Sequence, residues 1–210
     1  MEKFDRKKHW ETIYNSKDTQ KVNWFQPMPK TSLDLINELN IPLTAKIIDI
    51  GGGDSLLVDH LLQHGYEDVT VLDISERSLE NAKKRLGQQA KKVTWIVADI
   101  AEFVPTAQYD FWHDRAAFHF LTNTKEIEAY VLTVKNSLAS DGFMVIGTFS
   151  KQGPTKCSGI EIAQYSESTM TAIFTKNFSK IKCLTVDHET PSGTLQNFIF
   201  CCFKKLLMPR

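Results

Sequence analysis

The sequence lacks the features that most quickly assign a chain to a functional class. Its 25 lysines and arginines are balanced by 25 aspartates and glutamates, so the formal net charge is zero. Proteins that bind the nucleic-acid backbone usually carry a basic excess, and the balance therefore argues against nucleic acid as a partner. No apolar run is long enough to span a membrane. We expect neither a nucleic-acid nor a membrane partner.

Cysteine is scarce, and its spacing indicates no metal site. None of the four cysteines belongs to a C-x-x-C pair, a common spacing in zinc sites. Cys201 and Cys202 are adjacent and would point to opposite faces of a strand. We interpret this pair, Cys157 and Cys183 as reduced thiols of a cytoplasmic protein, and the opening MEKFDRKKHWE is too charged for a signal peptide.

Linkers, internal repeats and low-complexity tracts are also missing. The 210 residues suit one core of ordinary size, and the content of 42% hydrophobic and 24% charged residues is typical of globular proteins. We predict a single domain over residues 1–210, with a helical flap at 1–40 and the core at 45–205.

What the sequence does contain is an alternation of strand-like and helix-like segments. Short runs rich in β-branched and aromatic residues are separated by segments whose apolar residues have helical spacing. This order predicts parallel strands in an α/β sandwich, and the apolar first runs fit a sheet that is covered on both faces. The predicted strands are 45–50, 69–74, 93–100, 109–114 and 142–149.

The helices between these strands have recognisable ends. The first is expected to be capped by Asp54 or Ser55 and to stop at Gly65, whereas the second begins at Ser75 and the third near Thr124. A further helix is predicted in SESTMTAIFTKN.

The C-terminal part breaks the alternation. Two strand-like runs, 179–189 and 194–205, are separated only by the turn TPSG, which leaves no room for a helix. They are therefore predicted to form an antiparallel hairpin that closes the sheet.

The front segment is aromatic. Two helix-like stretches flank the connector VNWFQPMP, and Trp10, Tyr14, Trp24 and Phe25 lie in this region. These side chains either anchor the flap on the core or close over a ligand, and the two interpretations are compatible.

The stretch from Asp49 to Asp54, DIGGGD, forms the predicted turn from the first strand into the first helix, where ligands bind in open parallel sheets. The dinucleotide fingerprint G-x-G-x-x-G fails because its third position, counted from Gly51, is Leu56. The phosphate-loop motif fails because no lysine follows. The charge of Asp54 would repel a phosphate, so the loop suits a nucleoside ligand without phosphates.

Two further acids extend this interpretation. Asp73 closes the second strand, where an acid typically accepts hydrogen bonds from ribose hydroxyls. Asp99 closes the third strand and could meet an adenine amino group, with Ile100 against the ring. The alternative is that both acids cap helices or form turns. Acids around an adenosine pocket suit a cationic ligand, and S-adenosylmethionine carries a sulfonium, an ammonium and no phosphate.

In combination these features resemble the class I S-adenosylmethionine-dependent methyltransferases. The features are the closing hairpin, the ADI segment at 98–100, and Asp49, Gly51, Gly53 and Asp73. The resemblance covers roughly residues 30–205, with Ser55 where the family often has a third glycine. It implies a three-layer Rossmann-like sandwich whose seven-stranded, mostly parallel sheet receives its last strand antiparallel. It also implies S-adenosyl-L-methionine as cofactor and S-adenosyl-L-homocysteine as product.

The resemblance assigns roles to individual positions. Gly51 and Gly53 would pass beside the amino-acid half of the cofactor, and Asp49 would orient their loop. The ribose would be bound by Asp73. The expected lining of the adenine comprises Ile74, Asp99 and Ile100, and the remaining cofactor-binding candidates are Trp24 and His113.

The fourth strand ends in WHDR, which places His113, Asp114 and Arg115 at the predicted rim of the cofactor site. Asp114 and Arg115 are candidates for orienting the substrate or taking its proton; the alternative is an internal ion pair or helix cap. His119 is a minor candidate, because a histidine among aromatic residues is more often a hydrogen-bonded core residue. Cys157 either faces the pocket or is an inert loop thiol.

His60 and His64 are spaced as in zinc proteases but lack the intervening glutamate, so we expect no metal. The leading hypothesis is methyl transfer to a small molecule, as in the thiopurine and tellurite-resistance methyltransferases, which the chain resembles in layout. A protein-lysine methyltransferase with an open rim groove is the alternative. Outside this class, an NAD(P)-binding oxidoreductase and a non-catalytic nucleotide-binding module remain open, as does the oligomeric state.

Overall fold

The protein, described here over residues 4–206 of a computed structural model, is built on a seven-stranded sheet. The spatial order is β3-β2-β1-β4-β5-β9-β8, in which the first five strands pair in parallel and the last two pair antiparallel. The sheet strands are β1 (Lys46–Ile50), β2 (Asp68–Asp73), β3 (Val93–Val97), β4 (Tyr109–Arg115), β5 (Leu138–Phe149), β8 (Phe178–Glu189) and β9 (Leu195–Lys205). A small separate pair consists of β6 (Lys156–Cys157) and β7 (Ile160–Glu161).

Helices cover both faces of the sheet and complete three layers. The helices are α1 (Arg6–Ser16), α2 (Lys30–Glu38), α3 (Leu57–Gln63), α4 (Glu76–Leu86), α5 (Thr124–Ser137) and α6 (Glu167–Phe174). One buried cluster joins α2, α3 and α4 to the sheet, and a second joins α5 and α6 to the opposite face. The expected Rossmann-like sandwich with seven strands is confirmed.

Period-two alternation explains how one strand serves two cores. Ile47 packs into the first cluster and Ile48 into the second, and both are fully buried. Because both faces of β1 are covered, its run of apolar residues is almost continuous, as expected of a central parallel strand.

Several helix ends agree with their sequence signals. Ser75 caps α4 by accepting a hydrogen bond from the Ser78 amide, and Gly65 follows α3 with a φ of 93°. The start of α3 is later than expected, because the glycine turn extends to Leu56. Ser55 still contributes there, since its hydroxyl oxygen accepts from the Leu57 amide at 3.2 Å.

The closing hairpin is confirmed, and its last strand, β9, is inserted between β5 and β8. The expectation for the cysteines is wrong at one pair, because Cys183 and Cys201 form a disulfide. They are direct neighbours across β8 and β9, with a Cα–Cα distance of 4.1 Å. The spacing of cysteines along the chain did not reveal this pairing, which arises from the register of the hairpin. Cys201 and Cys202 do face opposite cores, as expected.

Within residues 4–206, no helix combines the length and the apolar character that crossing a membrane requires.

Candidate active site

A cavity opens at the carboxyl ends of the central strands and is roofed by the front segment. Its floor is formed by the glycine turn after β1 and by the ends of β2 and β4. Its roof includes residues of α1 and of the connector between α1 and α2. The residues that line the cavity include Trp10, Tyr14, Trp24, Ser32, Asp49, Asp54, Asp73, Asp99, His113, Arg115 and Phe120.

The glycine turn is tight because two of its residues adopt a left-handed backbone. Gly51 has a φ of 64° and Gly53 a φ of 49°, a region that side chains disfavour. A Cβ on Gly51 would lie 2.6 Å from the Ala117 Cβ, and one on Gly53 would lie 2.8 Å from the Tyr14 hydroxyl oxygen. Glycine is therefore required both for the turn and for the close approach of neighbouring groups.

Asp73 ends β2 beside this turn and is buried. One of its oxygens accepts a hydrogen bond from the Ser75 amide at 2.8 Å. The pKa of Asp73 is raised to about 7 by burial above all and also by the charges of Asp54 and Asp49, while hydrogen bonds from Ser75 and Ser78 act in the opposite direction. The ionised form of such a carboxylate is stabilised by any ligand that donates hydrogen bonds to it.

Asp54 presents an unused acceptor at the same end of the cavity. Its Oδ2 is buried and has no hydrogen-bond partner within the described residues. Burial raises the pKa of Asp54, while the charge of Arg85 opposes that rise. A cationic group of a ligand would satisfy this oxygen, whereas a phosphate would be repelled.

Asp99 lies in the loop two residues beyond β3, which is shorter than the predicted strand 93–100, and is next to the buried Ile100. Its Oδ1 accepts from the Ala101 amide at 2.9 Å, so the turn-forming alternative for Asp99 holds in part. Its Oδ2 lies 3.5 Å from Arg6 Nη1, and Arg6 Nη2 donates to Glu126 at 2.5 Å. Arg6 of α1 thus ties the roof to this side of the cavity.

A buried chain of hydrogen bonds runs from α2 to β1 through His113. The His113 Nδ1 lies 2.7 Å from Asp49 Oδ1, and its Nε2 lies 2.8 Å from the Ser32 hydroxyl oxygen. Because a carboxylate oxygen accepts, Nδ1 donates to Asp49, and in a neutral ring Nε2 then accepts the Ser32 proton. His113 therefore connects Asp49 of β1 to the front segment.

Sequence reasoning missed Ser32, although a signal was present. Helix α2 buries the stripe Ser32, Leu35 and Ile36, and a serine on an otherwise apolar stripe indicates a partner in the core. That partner, His113, is 81 residues away in the chain.

Asp114 does not line the cavity within the described residues, contrary to its candidacy as a substrate-facing group. Alternation along β4 turns it to the opposite face of the sheet, together with Trp112. Its Oδ1 accepts from the Ala117 and Phe118 amides, each at 3.0 Å, and its Oδ2 accepts from the Tyr130 hydroxyl at 2.8 Å. The alternative of a cap is the one that the structure favours.

Arg115 points to the same face as His113 and lines the cavity. Its Nη1 donates to the Trp24 carbonyl oxygen at 3.1 Å, and its guanidinium carbon lies 5.1 Å from the centre of the Phe198 ring. Its Nη2 is buried without a hydrogen-bond partner among the described residues. Burial lowers the pKa of Arg115 to about 10, so the group remains charged at neutral pH.

His119 and Cys157 are poor candidates for chemistry. His119 lies outside the lining as described, between Phe120 and Phe149, and burial lowers its pKa to about 3 with a contribution from the charge of Arg115. Cys157 does line the cavity, but burial raises its pKa to about 11, so the thiol stays protonated.

Three aromatic side chains from distant parts of the chain form one wall of the cavity, here called the aromatic wall: Trp10, Trp24 and Phe120. The Trp10 ring centre lies 5.8 Å from that of Trp24 and 5.2 Å from that of Phe120, with edge-to-face geometry in both cases. The front segment thus contributes both the roof and part of this wall.

The helix α1 is fastened above the cavity by Glu11. The Glu11 Oε1 accepts from the Glu76 amide at 2.7 Å, and its Oε2 accepts from the Ser75 hydroxyl at 3.2 Å and the Arg77 amide at 3.3 Å. A carboxylate at the positive end of α4 is electrostatically favourable.

Comparison with known families identifies the central part of the chain. Residues 47–142 match the family model described as a methyltransferase domain. Among curated proteins, the eEF1A lysine and N-terminal methyltransferase of Mus musculus is 26% identical over 137 residues, which are 64% of this chain and 19% of that protein. Nodulation protein S of Bradyrhizobium diazoefficiens is 25% identical over 139 residues, covering 60% of this chain and 64% of that protein. The matches thus span about a fifth and less than two thirds of these relatives.

Solved structures extend the likeness to nearly the whole chain. A SAM-dependent methyltransferase from Anabaena variabilis superposes with a TM-score of 0.77 at 16% identity, covering 97% of this chain and 96% of that one. The N-methyltransferase NodS from Bradyrhizobium japonicum, in complex with S-adenosyl-L-homocysteine, gives a TM-score of 0.72 at 14% identity, covering 97% and 100%. TehB from Haemophilus influenzae gives 0.67 at 18% identity, covering 82% and 62%. At these identities the likeness establishes the fold.

Proposed function

We propose that the chain is a class I S-adenosylmethionine-dependent methyltransferase, supported by its match to a methyltransferase-domain model over residues 47–142, and that it methylates a nitrogen, sulfur or oxygen atom of a small molecule. The observation that carries this proposal is the roof over the cavity. Helix α1 and the connector after it cover the carboxyl ends of the strands, and Arg6 and Glu11 fasten α1 there. A partly roofed cavity with an aromatic wall suits a small acceptor better than a protein chain.

The residues present fit the cofactor. Asp54 has a buried oxygen that finds no hydrogen-bond partner in residues 4–206, which suits the ammonium of the methionine half. Asp73 would accept hydrogen bonds from the ribose hydroxyls. The adenine would be surrounded by Ile74, Asp99 and Ile100. The acidic character of this end of the cavity matches the positive charges of S-adenosylmethionine.

When bound, the cofactor would supply a methyl group on a sulfonium sulfur, and the sulfur would depart as the neutral thioether of S-adenosylhomocysteine. The chain therefore needs mainly to align the acceptor with that methyl group and to exclude water. The aromatic wall performs the second task. The hydrogen bonds that join Ser32, His113 and Asp49 contribute to alignment, because they hold the glycine turn and α2 in one arrangement.

Two measurements test the proposal in sequence. Isothermal titration calorimetry should show binding of S-adenosylhomocysteine, and NADH should not compete with it. The protein is then incubated with methyl-labelled cofactor and a cell extract, which is afterwards separated by ultrafiltration into small molecules and proteins. We expect enzyme-dependent label in the small-molecule fraction. If S-adenosylhomocysteine does not bind, the cofactor assignment is wrong. If the label is found only in proteins, the assignment of a small-molecule acceptor is wrong.

A protein-lysine acceptor is the second candidate, because one sequence relative is an eEF1A lysine and N-terminal methyltransferase. EEF1A lysine methyltransferase 2 of Mus musculus matches as well, at 20% identity over 157 residues. The ultrafiltration experiment separates the two candidates, since a protein acceptor retains the label above the membrane.

A further inference from the structure

The charges around the cavity are divided unequally. Four aspartates line it, Asp49, Asp54, Asp73 and Asp99, and they belong to β1, the glycine turn, β2 and the loop after β3. The opposite rim, at the end of β4, carries Arg115. A ligand with a positive and a negative part would be oriented by this division.

Arg115 is the arginine in this lining that has no acidic partner within ion-pair distance among residues 4–206. Arg6 pairs with Glu126 and Asp99, and His113 pairs with Asp49. Arg115 makes one hydrogen bond, to the Trp24 carbonyl oxygen, although a guanidinium has five N–H donors. Arg115 is half-buried, and its buried Nη2 has no acceptor among the described residues. A buried donor without an acceptor costs folding free energy, so an anionic ligand at this atom would be favourable.

The surroundings of Arg115 supply only part of the compensation for its charge. The charge of Asp49 raises the pKa of Arg115, but burial outweighs this effect, and the Asp49 carboxylate already accepts a hydrogen bond from His113. The ring of Phe198 lies below the guanidinium, at 5.1 Å from its central carbon. His119 and His188 lie close enough for the charge of Arg115 to lower the pKa of both, and both are neutral near pH 7 because burial lowers their pKa first. Cys157, also nearby, is a protonated thiol.

We propose that Arg115 binds a carboxylate of the methyl acceptor, so that the substrate is a small acid whose apolar part packs on the aromatic wall. This inference rests on the proposed function, since it names the acceptor of that reaction. A planar guanidinium matches a carboxylate in a two-point contact. A singly charged group fits better than a phosphate, because four aspartates share the cavity. The aromatic wall meets Arg115 at Trp24, whose carbonyl oxygen holds the guanidinium.

The first test measures binding, so that it needs no knowledge of the true substrate. The probes are phenylacetate and benzoate with their uncharged amides, and ligand-detected NMR titration measures affinity with and without saturating S-adenosylhomocysteine. Wild-type protein should bind the acids and not the amides. Arg115→Gln should weaken the acids about tenfold or more, because hydrogen bonds to a charged group are lost, and Arg115→Lys should lie between the two. Arg77→Gln, at an exposed arginine outside the lining, should change nothing.

Acids that bind Arg115→Gln as well as wild type, or that fail to bind wild type, would overturn the proposal. A second arm addresses the carboxylate of the cofactor itself as the partner of Arg115. If Arg115→Gln weakens S-adenosylhomocysteine but not 5′-methylthioadenosine, which lacks that carboxylate, then the acceptor assignment is wrong. Failure of wild type to bind S-adenosylhomocysteine would count against the proposed function alone, since the titration without cofactor still tests Arg115.

Stability gives a readout without any ligand. If the charge of Arg115 is not fully compensated, Arg115→Gln should raise the melting temperature of the ligand-free protein relative to wild type, whereas Arg77→Gln should not. A marked fall in melting temperature for Arg115→Gln would show that the contacts with Trp24 and Phe198 stabilise the protein by more than the charge destabilises it. That result would contradict the premise that the charge of Arg115 is not fully compensated.

Discussion

At the scale of single residues, Asp73 links cofactor binding to pH. Its pKa is raised to about 7, chiefly by burial, and only the ionised carboxylate is a full acceptor for two hydroxyl donors. We predict that affinity for S-adenosylhomocysteine falls roughly tenfold between pH 8 and pH 6, as the unoccupied site takes up a proton. Calorimetric titrations across this range measure the effect.

Asp73→Asn is the matched control, because it keeps the acceptor for the Ser75 amide and removes the titration. Its affinity should be lower by about 1.5–3 kcal/mol at pH 8 and should change much less with pH. The ligand-free protein should show the opposite sign: a raised carboxyl pKa contributes stability below the unfolded value of 3.8 that is lost as pH rises through 7. Asp73→Asn should therefore be more stable than wild type at pH 8. An unchanged pH profile in the variant would show that another group titrates.

Asp114 is expected to act on stability and not on cofactor binding. Its carboxylate accepts from the Ala117 and Phe118 amides and from the Tyr130 hydroxyl in the core. Asp114→Ala leaves these donors without partners, so we predict a loss of about 2–4 kcal/mol in the free energy of unfolding. Denaturant unfolding measures this loss, and calorimetry on the folded variant should give the wild-type affinity for S-adenosylhomocysteine.

Tyr130→Phe provides the smaller step in the same network. It removes one donor to Asp114 and also the acceptor of the Trp112 indole N–H, so a loss of about 1–3 kcal/mol is expected. If the Asp114→Ala protein is stable and binds the cofactor but has lost all turnover, Asp114 would instead have a role in the reaction.

At the scale of elements, β4 shows how a correct element can carry an incorrect side-chain assignment. The strand was predicted within one residue of its observed end at Arg115. Asp114 and Arg115 were then considered together, although neighbours along a strand face opposite sides. The alternation that sends Asp114 to α5 and Arg115 to the cavity was readable from the sequence. The hydrogen bond from Tyr130 to Asp114 was not predictable from the sequence, because it depends on how α5 packs on the sheet.

The contact between α1 and α4 predicts how firmly the roof is held. Glu11 serves as an acceptor for the first turn of α4, and losing such a cap costs about 1 kcal/mol. We predict that Glu11→Ala increases amide hydrogen exchange in residues 6–16 roughly fivefold, while exchange in α5 stays unchanged. Mass spectrometry of exchanged peptides resolves the two segments.

Glu67→Ala is the control for this experiment, since Glu67 is exposed and lies outside the lining. It should leave exchange in α1 at the wild-type rate. Equal exchange in wild type and Glu11→Ala would mean that Arg6 and the aromatic contacts hold α1 without help from Glu11.

At the scale of the whole molecule, local signals predicted the architecture, and long-range contacts completed the site. Strand periodicity, glycine positions and the short TPSG turn were sufficient for the sandwich and the hairpin. The bonds of Ser32 with His113 and of Glu11 with α4 join segments 64 to 81 residues apart. Such partners are set by how helices pack on the sheet, and no local pattern encodes them.

The disulfide belongs to the same group of long-range contacts and offers a prediction about global stability. Cys183 and Cys201 are 18 residues apart and join the two last strands of the sheet. Closing a loop of this length restricts the unfolded chain by about 3 kcal/mol in the chain-entropy model. We predict that a reducing agent lowers the free energy of unfolding of wild type by up to this amount, measured by denaturant titration with and without reductant.

Two variants show whether this bond, and no other thiol, is responsible. Cys183→Ala should have the stability of reduced wild type and should not respond to reductant. Cys157→Ala should respond as wild type does, because Cys157 is a free thiol in the cavity lining. Alkylation of the unfolded, unreduced protein should label two cysteines, Cys157 and Cys202. Labelling of all four would show that the paired positions on β8 and β9 hold thiols, and the hairpin would then depend on its hydrogen bonds and buried aromatic side chains alone.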